Sequence, residues 1–247
     1  MNEMSKIDTA AAQPANGIDP AEWEVRVDLA ACYRLVDLYG MTDLHLNHIS
    51  ARVPGTEEHF LINPFGMMYE EITASSLIKI DLAGNIISNS NPDYGVNLAG
   101  YVIHSAIHEA RPEVACVIHT HSTHCVALSL RDAAHAGPFG PELLPPLTPY
   151  FVMKVGHVPL IPYHRPGDPA VADWVAHAIT QHAHAGHPIR AVMLERLGPN
   201  VWHDSPEQAM ATLDELEETA HLWHLSPARA LDDSQIDALR RQFGARW

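Results

Sequence analysis

The run Val114-Ala-Cys-Val-Ile118 constrains this chain more than any other stretch. It is a short, continuous apolar segment, bounded by Pro112 on one side and by His119-Thr-His121 on the other. Such a segment reads as a buried strand. A helical pattern over about 97–110 precedes it, and Ser122 can cap a helix through the THCVALSL run that follows. A buried strand held between helices belongs in a layered α/β architecture.

The rest of the chain fits that expectation. Asp19-Pro20-Ala21-Glu22 has the form of a helix start, with Asp19 as cap, Pro20 in the first turn and Glu22 placed for a capping box. Trp23, Val27, Ala30, Ala31, Leu35 and Leu38 follow at helical spacing up to Gly40. Strand-like runs are expected at 46–53, 60–63, 77–81, 152–155 and 158–161, and a hairpin at 191–194 and 200–203 turning around Gly198-Pro199. Helices are expected from Asp168-Pro169 to about His184 and from Ser205 to Leu225. The Pro/Gly-rich stretch 138–149 is a candidate site loop. Helices and strands interleave irregularly, which indicates one mixed α/β domain over 19–226, with a flexible leader at 1–18 and a polar tail carrying one weak helix at 227–247.

Charge narrows the function. The 247 residues carry a net charge of −15, so a nucleic-acid backbone or an anionic membrane surface is not the expected partner. No apolar stretch is long enough to span a bilayer and the N-terminus lacks a secretory pattern. Three cysteines, Cys32, Cys116 and Cys125, give no disulfide framework, and a cytoplasmic protein is expected.

Histidine is over-used: 18 residues against 15 Lys plus Arg. Alternate residues of a strand face the same way, so His119 and His121 project together where the buried strand breaks into a loop. Neutral imidazoles there suit zinc, manganese or iron; the alternative is two histidines capping a strand end. His104 and His108, four apart on the preceding helix, are a second candidate pair, read as a partly packed helix face.

Several ordered motifs resemble the class II aldolase/adducin family: LHLNHISARVPG (44–55), FLINPFGMMYEEIT (60–73), VNLAGYVIHSAIHEARPEV (96–114) and VIHTHS (117–122). TPYFVMKVGHVPLIPYHRPGDPA (148–170) and DELEETAHLWHLS (214–226) are similar to the branch containing 3-oxo-tetronate 4-phosphate decarboxylases. The resemblance implies a three-layer α/β/α sandwich around a largely antiparallel sheet. It also implies a homotetramer with sites between subunits, and a divalent metal that helps to break a C–C bond beside a carbonyl. The metal would be held by His119 and His121, with a third histidine from an Asn-His-Gly motif and a glutamate from the preceding helix.

Two of those positions depart from the pattern. Leu197, in MLERLGPNV (193–201), stands where the third histidine belongs, and Gly100 where the glutamate belongs. His48 replaces an asparagine of the sugar-phosphate aldolases, and Leu98-Ala99 replace their small polar phosphate-binding residues. Two imidazoles rarely suffice for a catalytic metal. Glu195, two residues before Leu197, is expected on the same strand face as a substitute ligand, against the alternative that it pairs with Arg190 or Arg196, and His48 and His164 are further candidates for that ligand. The expected function is a metal-dependent C–C lyase, an aldolase or decarboxylase of a small, unphosphorylated oxo or hydroxy acid. His48 or Glu195 would serve as acid/base, with Asn63, Gly66, His164 and Arg165 (or Lys154) on the substrate. The alternatives are a non-haem iron oxygenase of an aromatic or 2-oxo acid and a degenerate-site pseudoenzyme or binding protein.

Overall fold

A computed structural model describes residues 17–133, 135–226 and 229–247; all but the end of the expected leader lies outside the described residues. In chain order the elements are α1 (Pro20–Leu38), β1 (His48–Arg52), β2 (His59–Ile62), β3 (Ile78–Asp81), β4 (Ile86–Ser88), α2 (Leu98–Ala110), β5 (Cys116–His119), α3 (Thr123–Ser129), β6 (His135–Gly137), β7 (Gly140–Glu142), β8 (Leu160–Ile161), α4 (Ala170–His184), β9 (Ala191–Leu194), β10 (Gly198–His203), α5 (Pro206–Leu225) and α6 (Asp233–Phe243).

Eight strands form one sheet in the order β4-β3-β2-β1-β5-β10-β9-β8, and β6 and β7 form a separate hairpin. Every neighbour in the large sheet is antiparallel except β8 and β9. The strand that opened the sequence analysis lies at its centre, as β5, between β1 and β10.

The period of two along each strand sorts the core into two layers. Val117, Val192, Leu194 and Trp202 pack with Ile103 and Ile107 of α2 and Val171, Val175 and Ile179 of α4. Ile49, Ile118, Met193 and Val201 point the other way, against Leu29 and Val36 of α1, Leu128 of α3 and Leu213 and Leu216 of α5. This is the expected three-layer α/β/α sandwich. Each fully buried aliphatic side chain of these layers contributes about 1.5–3 kcal/mol relative to exposure.

Local signals place the long helices. Asp19 accepts hydrogen bonds from the Ala21 and Glu22 amides, and Ser205 accepts one from Gln208. Glu22 does not complete the capping box; it is buried and pairs with Arg26 at 2.9 Å and Lys79 at 2.5 Å. The expected strand at 152–155 is a π-helical turn, Phe151–Val155. The 138–149 loop holds β7 and part of the small hairpin. The hairpin between β9 and β10 turns at 195–197 rather than at Gly198-Pro199, with Arg196 in the left-handed region at φ 65°. Residues set apart as a tail contribute α6, and Ile236 and Trp247 are buried in the larger core cluster. Among the described residues no helix is long and apolar enough to cross a membrane.

Candidate functional site

The pairing of the central strands sets the site. In β1/β5 His48 lies opposite His119, and in β5/β10 His119 lies opposite Asn200. Three polar side chains therefore form a row across three strands, on the face that α2 covers. All three are buried. The His48 ring centroid is 5.1 Å from that of His119 and 4.4 Å from that of His104 on α2. His121, two residues past the end of β5, places its ring 5.0 Å from His119.

Hydrogen bonds fix two of these rings. His119 Nδ1 is 2.9 Å from the Pro199 carbonyl, which makes Nδ1–H the donor and leaves Nε2 as the free nitrogen. The Asn200 amide lies 3.3 Å from the same Nδ1. His121 Nδ1 is held by the Asp43 carboxylate at 2.8 Å. Beneath them the Ser50 hydroxyl joins His104 Nδ1 at 2.8 Å and His108 Nε2 at 2.9 Å, donating to one ring and accepting from the other. His104 and His108 are thus a buried polar unit with Ser50 rather than a helix face. Neither ring nitrogen of His48 makes a well-formed hydrogen bond.

Two glycines make the site possible. A Cβ at Gly100 would stand 2.7 Å from Nε2 and 2.8 Å from Nδ1 of His48. The imidazole occupies the space into which any side chain at position 100 would grow. Gly198, at φ 115°, carries β10 past the loop between the two histidines, where a Cβ would lie 2.6 Å from the Thr120 carbonyl oxygen.

Burial governs the electrostatics. It pushes His48 down to about 4, opposed by the Gly100 backbone and assisted by His121. Burial also holds His104 and His119 well below the ordinary imidazole value, each helped by His48. His108 falls to about 3 through burial and the nearby Arg52 guanidinium. At neutral pH all four rings are uncharged.

These side chains open onto a cavity of about 260 Å³ lined by His48, Gly100, His119, His121, His164 and Leu197, among others. Among the described residues no Arg or Lys lines it. Of the expected site residues, His48, His119, His121 and His164 come together there. Arg165 is exposed and outside the cavity, and Lys154 lies over the Tyr150 ring. Asn63 is buried elsewhere, accepting a 2.9 Å hydrogen bond from the Tyr33 hydroxyl, and Gly66 packs near Tyr94.

Glu195 does not join the histidines. Its carboxylate accepts a 2.9 Å hydrogen bond from the Tyr163 amide and lies 3.7 Å from Arg196. The expectation treated 195–197 as strand; these residues form the turn, so the alternation that would have aimed Glu195 and Leu197 the same way does not apply. Sequence reasoning also missed Asp43, which orients the His121 imidazole, and Asn200, whose amide lies beside His119. Nothing local marks either residue, because their partners are 78 and 81 positions away.

The donor set bears directly on the divalent metal that the resemblance implied. His119 and His121 have the anchored Nδ1 and free Nε2 typical of metal-binding imidazoles. Among the described residues, however, no three His, Cys, Asp or Glu side chains are grouped so as to hold a metal ion. The hydrocarbon of Leu197 lines the cavity where the family's third histidine would be expected. The residues present do not fit a three-ligand catalytic metal.

Comparison with known proteins agrees with the motifs. A family model described as Class II Aldolase and Adducin N-terminal domain matches residues 27–224. The chain is 42% identical over 216 residues to a 3-oxo-tetronate 4-phosphate decarboxylase of Cupriavidus necator, covering 84% of this chain and 90% of that one. It is 46% identical over 126 residues to alpha-adducin of Rattus norvegicus, covering 51% of this chain and 17% of that one. The crystal structure of an aldolase II superfamily protein from Pseudomonas syringae superposes with a TM-score of 0.75 at 35% identity, covering 92% of this chain and 86% of that one. This chain belongs to the class II aldolase and adducin family.

Proposed function

We propose that the chain is a C–C lyase that cleaves or decarboxylates a small, unphosphorylated oxo or hydroxy acid in the histidine cavity. One observation carries the reading: His48 is a buried, neutral imidazole on the cavity wall with neither nitrogen well paired. A neutral ring offers one acceptor and one donor, as proton transfer to and from a substrate requires. In aldol cleavage the acceptor nitrogen takes the hydroxyl proton as the C–C bond breaks, the electrons of that bond pass to the neighbouring carbonyl as an enolate, and the imidazolium so formed returns the proton to the enolate carbon. In decarboxylation the acceptor nitrogen takes the carboxylic-acid proton of the 3-oxo acid as CO2 leaves, and the imidazolium so formed returns that proton to the carbon that has lost CO2, restoring the neutral ring. The free Nε2 of His119 accepts a hydrogen bond from a substrate hydroxyl and orients it. Leu98-Ala99, in place of the small polar phosphate-binding residues of the sugar-phosphate aldolases, support an unphosphorylated substrate. The relative's decarboxylase activity supports the reaction class. No step is assigned to a metal. Three buried free thiols suit a cytoplasmic setting, and a homotetramer is the assembly we expect from the family.

The test is release of CO2, or of an aldehyde with its oxo-acid partner, from a panel of 3-oxo acids and 4-hydroxy-2-oxo acids. Activity that falls with His48→Ala supports the reading; no turnover across the panel removes it.

A second reading, ligand binding without turnover, is favoured by the loss of both family positions at Gly100 and Leu197 and by the similarity to alpha-adducin. It predicts saturable binding of such acids with no product. The oxygenase alternative loses its support with Glu195, since that carboxylate is committed to the Tyr163 amide.

A further inference from the structure

At the other end of the same central strands lies a second hollow, of about 290 Å³. Arg111, Arg190, Arg246 and His203 line it together with Glu113, Asp204 and Trp202. Three guanidiniums converge there in a chain whose net charge is −15. The local carboxylates do not neutralise all three. Glu113 accepts 2.6 Å hydrogen bonds from Arg111, and Asp204 is engaged by the His203 ring. Arg190 donates to the Met153 and Lys154 carbonyls at 3.4 and 3.2 Å through a single nitrogen. Arg246 is exposed.

Two further features point to an acceptor. Arg111 Nη1 and Trp202 Nε1 are buried donors with no hydrogen-bond partner, and Trp202 is only 1% exposed. An orphaned buried donor costs about as much as a lost hydrogen bond, so an oxygen-rich ligand at this hollow would relieve a standing penalty. The arginines also repel one another: Arg190 is pushed below its ordinary value by burial first and by Arg246 and Arg111 after it, with Asp204 opposing. A guanidinium presents a planar fork of donors that matches carboxylate and phosphate oxygens two at a time.

We propose that this hollow is a binding site for a small dianion, a phosphate or dicarboxylate group, distinct from the histidine cavity. The sites are separated by the length of β5, about 10 Å at the rise of a strand. The inference does not depend on the lyase reading, because its residues and ligand chemistry are separate.

The test is isothermal titration of the full-length chain with inorganic phosphate and, in a second arm, malonate, at constant ionic strength set by chloride. Saturable binding is expected, and the tighter arm assigns the anion class. Arg246→Glu reverses one charge at an exposed position and should weaken binding about tenfold or more, with Arg111→Gln acting in the same direction. His48→Ala should leave it unchanged. No saturable binding in either arm overturns the proposal, as does binding that survives both arginine variants or is lost with His48→Ala. Circular dichroism of each variant establishes that a loss of binding is not a loss of fold.

Discussion

The two ends of the β1-β5-β10 trio hold hollows of similar size, about 260 and 290 Å³, with opposite chemistry. One end gathers imidazoles that are buried and neutral. The other gathers guanidiniums that stay charged and partly wet. The difference follows from what covers each end. At the histidine end α2 lies directly over the sheet and excludes water, so His48, His104, His108 and His119 keep the neutral form. At the arginine end, loops and the chain after α6 leave an open rim, and Arg cannot give up its proton in any case. Burial selects proton-transfer chemistry at one end, and permanent charge selects anion chemistry at the other.

The largest expected effect concerns pH and belongs mainly to the histidine end. His48, His104, His108 and His119 all have folded-state values below the unfolded value of 6.5. The unfolded chain therefore binds more protons below about pH 6.5, and stability rises with pH through that window. The contribution is fully present above 6.5 and is lost as pH falls toward the folded values, about 4 for His48 and about 3 for His108. Each group adds a slope of up to about 1.4 kcal/mol per pH unit, and the four together up to about 5.5. Urea melts between about pH 8 and pH 5 measure this. A flat profile would show that the rings take up protons in the folded protein as readily as in the unfolded chain.

Next in size is the missing ligand. Leu197→His returns an imidazole to the cavity beside His119 and His121, whose Nδ1 atoms are already anchored. Zinc should then raise Tm in a saturable way, by an amount equivalent to about 2.7 kcal/mol at a hundredfold excess over Kd, and the parent chain should show little of this. An equal zinc effect in the parent would mean that it completes a metal site by some other route.

Gly100 tests how closely α2 and β1 depend on one another. Gly100→Ala would ordinarily favour a helix by up to about 1 kcal/mol, but its methyl group meets the His48 ring, so a net loss of about 1–3 kcal/mol is expected. Adding His48→Ala should remove most of that loss. A double-mutant cycle with no coupling would break the argument that His48 fills the room of a side chain at position 100.

How much of this was legible in sequence depends on range. Asp19 and Ser205 announced α1 and α5 because a cap acts within three residues. The apolar run before His119 announced β5 because burial shows in composition. The contacts that make the site are non-local: His48 opposite His119, His121 against Asp43, and the His48 ring in the room beside Gly100. Family resemblance flagged His48 and Gly100 as separate departures, and only the fold shows them as one exchange. Glu195 was misplaced because strand alternation was carried into a turn, and Phe151–Val155 because valine-rich runs look alike in strand and helix. Trp247 and Ile236 were set aside with a polar tail although two apolar residues at the right places suffice to dock it. The arginine hollow was invisible for the same reason: Arg111, Arg190 and Arg246 are spread over more than half the chain.

The smallest expected effect acts at that arginine end. Glu113 is 60% exposed and binds Arg111 through one carboxylate oxygen at 2.6 Å. An exposed pair of this kind contributes only about 0–1 kcal/mol to stability, so Glu113→Gln should leave the urea midpoint nearly unchanged. Its effect on binding should be larger than on folding. The carboxylate competes with an incoming anion for the same guanidinium, and the amide that replaces it carries no charge. Phosphate or malonate should therefore bind up to about fivefold tighter, which corresponds to less than about 1 kcal/mol. Stability between about pH 8 and pH 5, where the buried imidazoles act, should not move. If Glu113→Gln weakened anion binding instead, the carboxylate would be positioning Arg111 rather than competing for it, and the hollow would be organised by its ion pairs as tightly as the histidine end is by its hydrogen bonds.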